Sequence, residues 1–174
     1  MSPARRKSSR RPVRAIARPG ELVMDRNASV PFLMIAIGNK VVASASQLYM
    51  RHFGLGIMEW RVMALLAADP DITGKDISRL SGVTAGSVSR AINSLKKGGH
   101  LEASNDQSDK RRTFLRLTSR GLALHDRVIV SSLERERLLL SGFSPVEHRA
   151  LLGYFRRLMA NVALVSAYHP GAFS

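Results

Sequence analysis

The chain has 174 residues, 45% of them hydrophobic, enough for one domain of ordinary size with a real core. Its 27 Lys and Arg against 13 Asp and Glu leave a formal net charge of +14, which favours an anionic partner, either nucleic acid or an acidic membrane surface. Cysteine is absent, which excludes disulfides, thiolate metal sites and thiol redox sensing and is compatible with a reducing compartment.

The first 20 residues carry Arg5, Arg6, Lys7, Arg10, Arg11, Arg14 and Arg18 and no acid, which is half the net charge. Pro3, Pro12 and Pro19 are spread among them and oppose the amphipathic helix of an organelle transit peptide. So few apolar residues cannot offset the cost of ordering, so residues 1–28 are expected to form a disordered basic arm. Two readings of the arm stay open: a solvated tail, or a tether that grips phosphates without reading sequence.

The most apolar stretch, "VPFLMIAIGNKVVASASQLYM", is interrupted by Asn39 and Lys40 and holds Ser44, Ser46 and Gln47. It falls short of the roughly 18 consecutive apolar residues that a membrane span needs. It reads instead as a long helix from about Val30 to Phe53, inside a segment 29–56. Apolar over much of its circumference, that helix needs cover from its own chain and from another subunit.

"GLGIMEWRVMALLAADPD" sets Met58, Val62, Leu65 and Leu66 at helical spacing between two glycines and the Asp69-Pro70 stop. A short third helix follows, with Thr73 as N-cap, Asp76 in the capping-box slot and Gly82 as its end. The fourth runs from Thr84 to the Gly98-Gly99 pair, with Val88, Ile92 and Leu95 on one face. Gly86, Arg90, Asn93 and Lys97 lie opposite, flanked by Ser87 and Ser89.

Two short helices joined by "SGVT", the second with an apolar back and a small, polar, basic front, fit a helix-turn-helix. Small residues let that front approach base edges, Ser hydroxyls reach phosphate or base, and Arg or Asn pair with guanine or adenine in a major groove. No acid stands between Thr84 and Gly99, whereas an ordinary solvated face carries Glu as often as Lys. We therefore expect this face to meet DNA.

"HLEAS" and "TFLRLT" are strand-like runs on either side of the turn-forming "NDQSDKRR", so a hairpin wing is predicted beside the helix-turn-helix. Its tip carries Lys110, Arg111 and Arg112, and Asp109 is placed to fix one arginine by a charge-assisted pair. Such a guanidinium fits an adjacent narrow minor groove, where negative potential is enhanced, or a bare phosphate. From Thr73 to Gly121 there are ten Lys or Arg and four Asp or Glu, so the basic patch coincides with the motif. Two further helices complete the chain within 122–166. The first has Leu122, Val128 or Ile129, Leu133 and Leu140 along one side and the charged segment Glu134–Arg137; the second opens with Ser144 as N-cap, Pro145 at the first helical position and Glu147 in the reciprocal slot. Leu151, Leu152, Phe155, Leu158, Met159 and Val162 on the last helix exceed what a lone surface helix buries. Residues 167–174 are a tail.

Enzymatic signatures fail. "DITGKD" lacks the first Gly and the metal-binding Ser or Thr of a phosphate loop, and no GxSxG or HExxH occurs. His52, His100, His125, His148 and His169 are scattered without metal-ligand spacing, so no metal and no cofactor is expected.

The order of a long helix, "TGKDISRLSGVTAGSVSRAINSLKKGG", "SDKRRTFLRLTSRG" and two more helices resembles the MarR-type winged helix-turn-helix transcriptional regulators over about residues 30–165. Asp109-Lys110-Arg111 followed by Leu117-Thr118 and Gly121 is similar to the family's wing signature. His100 and Ala103 depart from it, standing where apolar and basic residues are frequent. The resemblance implies a mainly α fold with a small β-hairpin wing: a dimerisation helix at 29–56, a winged DNA-binding region at 57–121 and dimerisation helices at 122–166. It implies a homodimer that binds a pseudo-palindromic operator in double-stranded DNA, acting in the cytoplasm at the bacterial nucleoid. Thr84, Ser87, Ser89, Arg90, Asn93 and Lys97 are then the major-groove candidates. Asp109, Lys110, Arg111 and Arg112 are the wing candidates, with Arg111 as the minor-groove finger.

In this family a repressor is commonly released by an aromatic acid or phenol bound between the dimer helices and the winged region. Tyr49, His52, Trp60, Arg61 and His125 are the candidate lining, although each taken singly also reads as core or structural. The alternative to a specific regulator is a sequence-tolerant architectural DNA-binding protein that relies on its basic arm.

Overall fold

The computed structural model describes residues 15–18, 21–105 and 112–169. Two compact units divide the chain, residues 1–125 and 126–174. Residues 15–18 and 21–24, expected from composition to be disordered, are paired instead. Strands β1 (Ala15–Arg18) and β2 (Glu21–Met24) form an antiparallel ribbon with Ala15 opposite Met24 and Arg18 opposite Glu21. The physical reason is local: "AIAR" and "ELVM" are short apolar runs around the turn-favouring pair Pro19-Gly20, and averaging charge over twenty residues dilutes that signal. The more basic part of the arm, residues 1–14, lies outside the described residues.

Helix α1 spans Val30–Phe53. Buried Ser29 caps it by accepting the Phe32 N–H at 3.4 Å, Pro31 occupies the first turn, and the helix stops at Gly54. Only Ala45 and Tyr49 on α1 are buried; Phe32, Leu33, Met34, Ile35 and Ile37 are exposed. Helix α2 (Ile57–Ala68) is the opposite case, with Trp60, Val62, Met63 and Leu66 all buried.

Strand β3 (Ile72–Thr73) leads into α3 (Gly74–Ser81), which begins with the expected capping box. The Asp76 N–H donates to Thr73 Oγ1 at 3.2 Å and the Thr73 N–H donates to Asp76 Oδ2 at 3.1 Å, so two otherwise orphaned donors are satisfied together. The turn to α4 (Ala85–Lys97) passes through Gly82 at φ 67°, a left-handed conformation that favours glycine. Ser78 Oγ braces it by donating to the Val83 carbonyl at 2.5 Å.

Strands β4 (Leu101–Asn105) and β5 (Thr113–Leu117) pair antiparallel with Leu101 opposite Leu117 and Asn105 opposite Thr113. The two residues of β3 join the other edge of β5, so the sheet order is β3-β5-β4. Ile77, Val88, Ala91, Leu95, Leu101, Leu115 and Leu117 are buried, and α4 packs on α2, α3 and β4. Of the apolar back expected of α4, Val88 and Leu95 are in the core and Ile92 is half-buried.

Helix α5 covers Ser119–Leu139 and α6 covers Pro145–Ser166. Ser144 and Glu147 form a second capping box: the Ser144 N–H donates to Glu147 Oε2 at 2.8 Å, and the Glu147 N–H donates to Ser144 Oγ at 3.3 Å. No residue of α6 is buried, although Phe155, Leu158, Met159, Val162, Leu164 and Val165 all lie on it.

Candidate DNA-binding surface

Helix α4 turns its small and basic side outward. Thr84, Ser89, Arg90, Asn93 and Lys97 are exposed, and Ser87 is half-buried. Three of these six candidates are tied together at the helix start. The Thr84 hydroxyl accepts the Ser87 N–H at 3.4 Å and donates to Ser87 Oγ at 3.1 Å, and Arg90 Nη2 also donates to Ser87 Oγ at 3.1 Å. With two donors already on its oxygen, the Ser87 hydroxyl has its own proton to offer an acceptor beyond the helix. No acid lies in the first turn of α4, and Lys96 and Lys97 lie in the last. The helix thus presents N–H groups and positive partial charge at one end and cations at the other.

An open groove between α3, α4 and β5 is lined by Val88, Ile92 and Leu115 and by the basic Lys75, Arg79 and Lys96. Those three cations were missed in the sequence reading. The four-residue spacing of Lys75 and Arg79 puts both on one face of α3, a signal that was available. Arg79 also donates to Asp76 Oδ1 at 3.3 Å. Hydrogen bonds from Thr73, supplemented by Arg79, hold the Asp76 carboxyl below the usual carboxylate range.

Asp109, Lys110 and Arg111 lie outside the described residues. Arg112 is exposed, with its guanidinium carbon 5.3 Å from the centroid of the Phe114 ring, a cation–π distance. At the base of the wing, Arg116 Nε donates to Asp71 Oδ1 at 3.1 Å and its Nη2 donates to Asp71 Oδ2. This forked pair raises the Arg116 pKa further above its already high value.

Thr118 explains why the alternation of β5 stops in a hydroxyl residue. Its Oγ1 donates to the Gly99 carbonyl at 2.8 Å and accepts the Gly121 N–H at 3.0 Å, so one side chain ties the end of α4 to the start of α5. Gly121 is required by close approach: a Cβ there would lie 2.0 Å from the His100 carbonyl oxygen. The departure at His100 also has a structural consequence. Its Nδ1 is buried without a hydrogen-bond partner, a group that an apolar residue would not have to bury.

Three of the five candidate effector residues come together. Trp60 stacks on His125 with ring centroids 5.5 Å apart, and Tyr49 meets Trp60 edge-on at 5.9 Å. Tyr49 and Trp60 are buried among these contacts, whereas His52 and Arg61 are exposed. Among the described residues no three His, Asp or Glu are grouped closely enough to hold a metal ion, and no helix is long and apolar enough to cross a membrane.

A helix-turn-helix whose second helix is acid-free outward, followed directly by the β4–β5 hairpin with the short β3 from before α3 on its other edge, defines a winged-helix DNA-binding protein. A sequence profile of the MarR family matches residues 53–112. The chain is 30% identical to a MarR/EmrR family transcriptional regulator from Acinetobacter sp. ADP1 of known structure, covering 80% of this chain and 97% of that one with a TM-score of 0.72. It belongs to the MarR family of transcriptional regulators. It is also 26% identical to the HTH-type transcriptional regulator YwoH of Bacillus subtilis, over 69% of this chain and 87% of that protein. The fold recurs, at 22% identity and a TM-score of 0.66, in Bordetella bronchiseptica BpsR, whose DNA binding is regulated by 6-hydroxynicotinic acid; the match covers 75% of this chain and 98% of that one. The Acinetobacter and Bacillus proteins are transcriptional regulators.

Proposed function

We propose that the chain is a ligand-responsive repressor that binds a pseudo-palindromic operator as a homodimer, in the bacterial cytoplasm at the nucleoid. The observation that carries this reading is the exposed, acid-free front of α4, braced at its start by the Thr84–Ser87–Arg90 hydrogen bonds. In it, Ser87, Ser89, Arg90 and Asn93 read the major groove, Lys97 meets phosphate, and Lys110, Arg111 and Arg112 on the wing reach the neighbouring minor groove. The many large apolar residues left exposed on α1 and on α6 support pairing with a second copy, because large exposed apolar patches mark an interface. A two-fold axis then sets the two reading helices about one DNA turn apart.

The effector in this reading is a small aromatic or phenolic acid. It enters beside the Tyr49–Trp60–His125 rings and draws its carboxylate partner from Arg61 or His52. The regulation of BpsR by a hydroxylated aromatic acid supports that class. Because ligand and operator favour different spreads of the two reading helices, each must weaken the other by the same factor.

The basic arm favours a second reading, a sequence-tolerant architectural DNA-binding protein. Fluorescence anisotropy over a salt series separates the two, using duplex from upstream of the protein's own coding sequence and random duplex of equal length. A preference on the order of 10³ for the upstream duplex supports the regulator. Equal affinities, with most of the salt dependence lost on deleting residues 1–14, support the architectural protein.

A further inference from the structure

We infer that Asp71 and Arg116 are a positioning pair that sets the angle of the wing for DNA, with Arg116 committed to Asp71 and not to phosphate. The inference rests on the reading that the wing contacts DNA. Among the described residues Asp71 alone, glycines aside, has a positive φ, at 63°. Glycine suits that conformation better, and an aspartate held in it is uncommon.

Both the backbone and the side chain of Asp71 engage β5. Its N–H donates to the Leu115 carbonyl at 3.0 Å, and its carboxylate takes the forked guanidinium of Arg116, 45 residues along the chain. Asp71 immediately precedes β3, Arg116 lies in the middle strand, and Glu102 of β4 stands opposite Arg116 in the register. A single guanidinium therefore links the entry to β3 with β5 and faces an acid on β4. Side chains alternate along a strand, so Arg112, Phe114 and Arg116 share one face of the wing, with Arg112 laid over the Phe114 ring. The row leading to the wing tip is tied at its base by Asp71.

Fold stability does not account for this acid. Both partners are about half exposed, and exposed ion pairs contribute little. The backbone would be better served by glycine, and a negative charge beside a basic surface weakens attraction to DNA unless it has a task. Holding a forked, directional contact is such a task, because two parallel N–H···O bonds fix a plane where a point charge would not.

The test uses the full chain with Asp71→Gly, Arg116→Lys and Arg116→Gln, thermal unfolding, and anisotropy on the upstream and random duplexes. Asp71→Gly is expected to keep or raise the melting temperature and yet weaken DNA binding about 5–20-fold, although loss of an acid alone would tighten it. Arg116→Lys, which keeps the charge and loses the fork, is expected to weaken binding similarly. Arg116→Gln is expected to leave the salt slope unchanged. Affinity that is unchanged or raised in Asp71→Gly overturns the inference. A salt slope shallower by about 0.9 in Arg116→Gln also overturns it, by assigning the guanidinium to phosphate. The regulator reading fails separately, by equal wild-type affinity for the two duplexes, and the variant-to-wild-type ratios remain readable on either.

Discussion

Arg90 and Ser87 occupy one turn of α4, yet they are asked for different things. Ser87 is held by Thr84 and Arg90, so in the proposed complex its direction would be set before DNA arrives, while Arg90 is exposed and has further N–H donors to give. Arg90→Ala is accordingly expected to cost about 1–3 kcal/mol on operator DNA and to relax specificity at one position, measured by competition with single-base operator variants. Lys97→Ala is expected to weaken binding to all duplexes alike and to make the salt slope shallower by about 0.9. A different limit acts at Gly121, where any side chain must displace the His100 carbonyl. Gly121→Ala should lower stability by about 1–3 kcal/mol in urea unfolding, without touching a residue of the reading face. At this scale the sequence discloses side-chain type and face, which is why the front of α4 was legible. It does not disclose partners 45 residues apart, so the Asp71–Arg116 fork is invisible in it, whereas Lys75 and Arg79, four residues apart on α3, are legible by spacing alone.

Helix starts are where local chemistry speaks most clearly. Thr73–Asp76 and Ser144–Glu147 were both readable because a capping box is a three-residue spacing closed by the same residues that announce it. Ser144→Ala should destabilise the protein by about 0.5–2 kcal/mol in denaturant unfolding. The same boxes make stability depend on pH. Hydrogen bonds from the Ser144 backbone and hydroxyl lower the folded pKa of Glu147, and those from Thr73 lower that of Asp76. A carboxyl with a depressed folded pKa binds its proton first in the unfolded chain. Its contribution is therefore complete above about pH 5 and is lost as pH falls through about 4 and below. Glu147→Gln should flatten the acid limb of a stability–pH curve and leave the neutral region nearly parallel to wild type. Elements lacking such signals were missed. Two residues of β3 show no period, and the β1–β2 ribbon was hidden inside a charged window.

The exposed apolar residues of α1 and α6 are a property of the chain as a whole. The sequence reading found the apolar excess on both helices because their hydrophobic positions outnumber one face, and no periodicity states what covers them. If a second copy does, light scattering should give about twice the 19.1 kDa chain mass at micromolar concentration. Leu158→Glu with Val162→Glu should yield a monomer that binds the upstream duplex at least 100-fold more weakly, because one half-site must then supply all the affinity.

The Thr118 tie has a mechanical meaning for such an assembly. With its hydroxyl on the Gly99 carbonyl and Gly121 seated against His100, the reading helix and α5 meet without a slack joint. In the proposed homodimer, reading helices fixed in this way to the start of α5 would follow poorly a target whose halves have been rotated apart. One base pair inserted between half-sites turns them by roughly 35° about the DNA axis, since a turn takes about 10 base pairs. The penalty for that insertion should exceed that of any single base change within a half-site, and a protein of this build would measure distance along DNA as strictly as it reads bases.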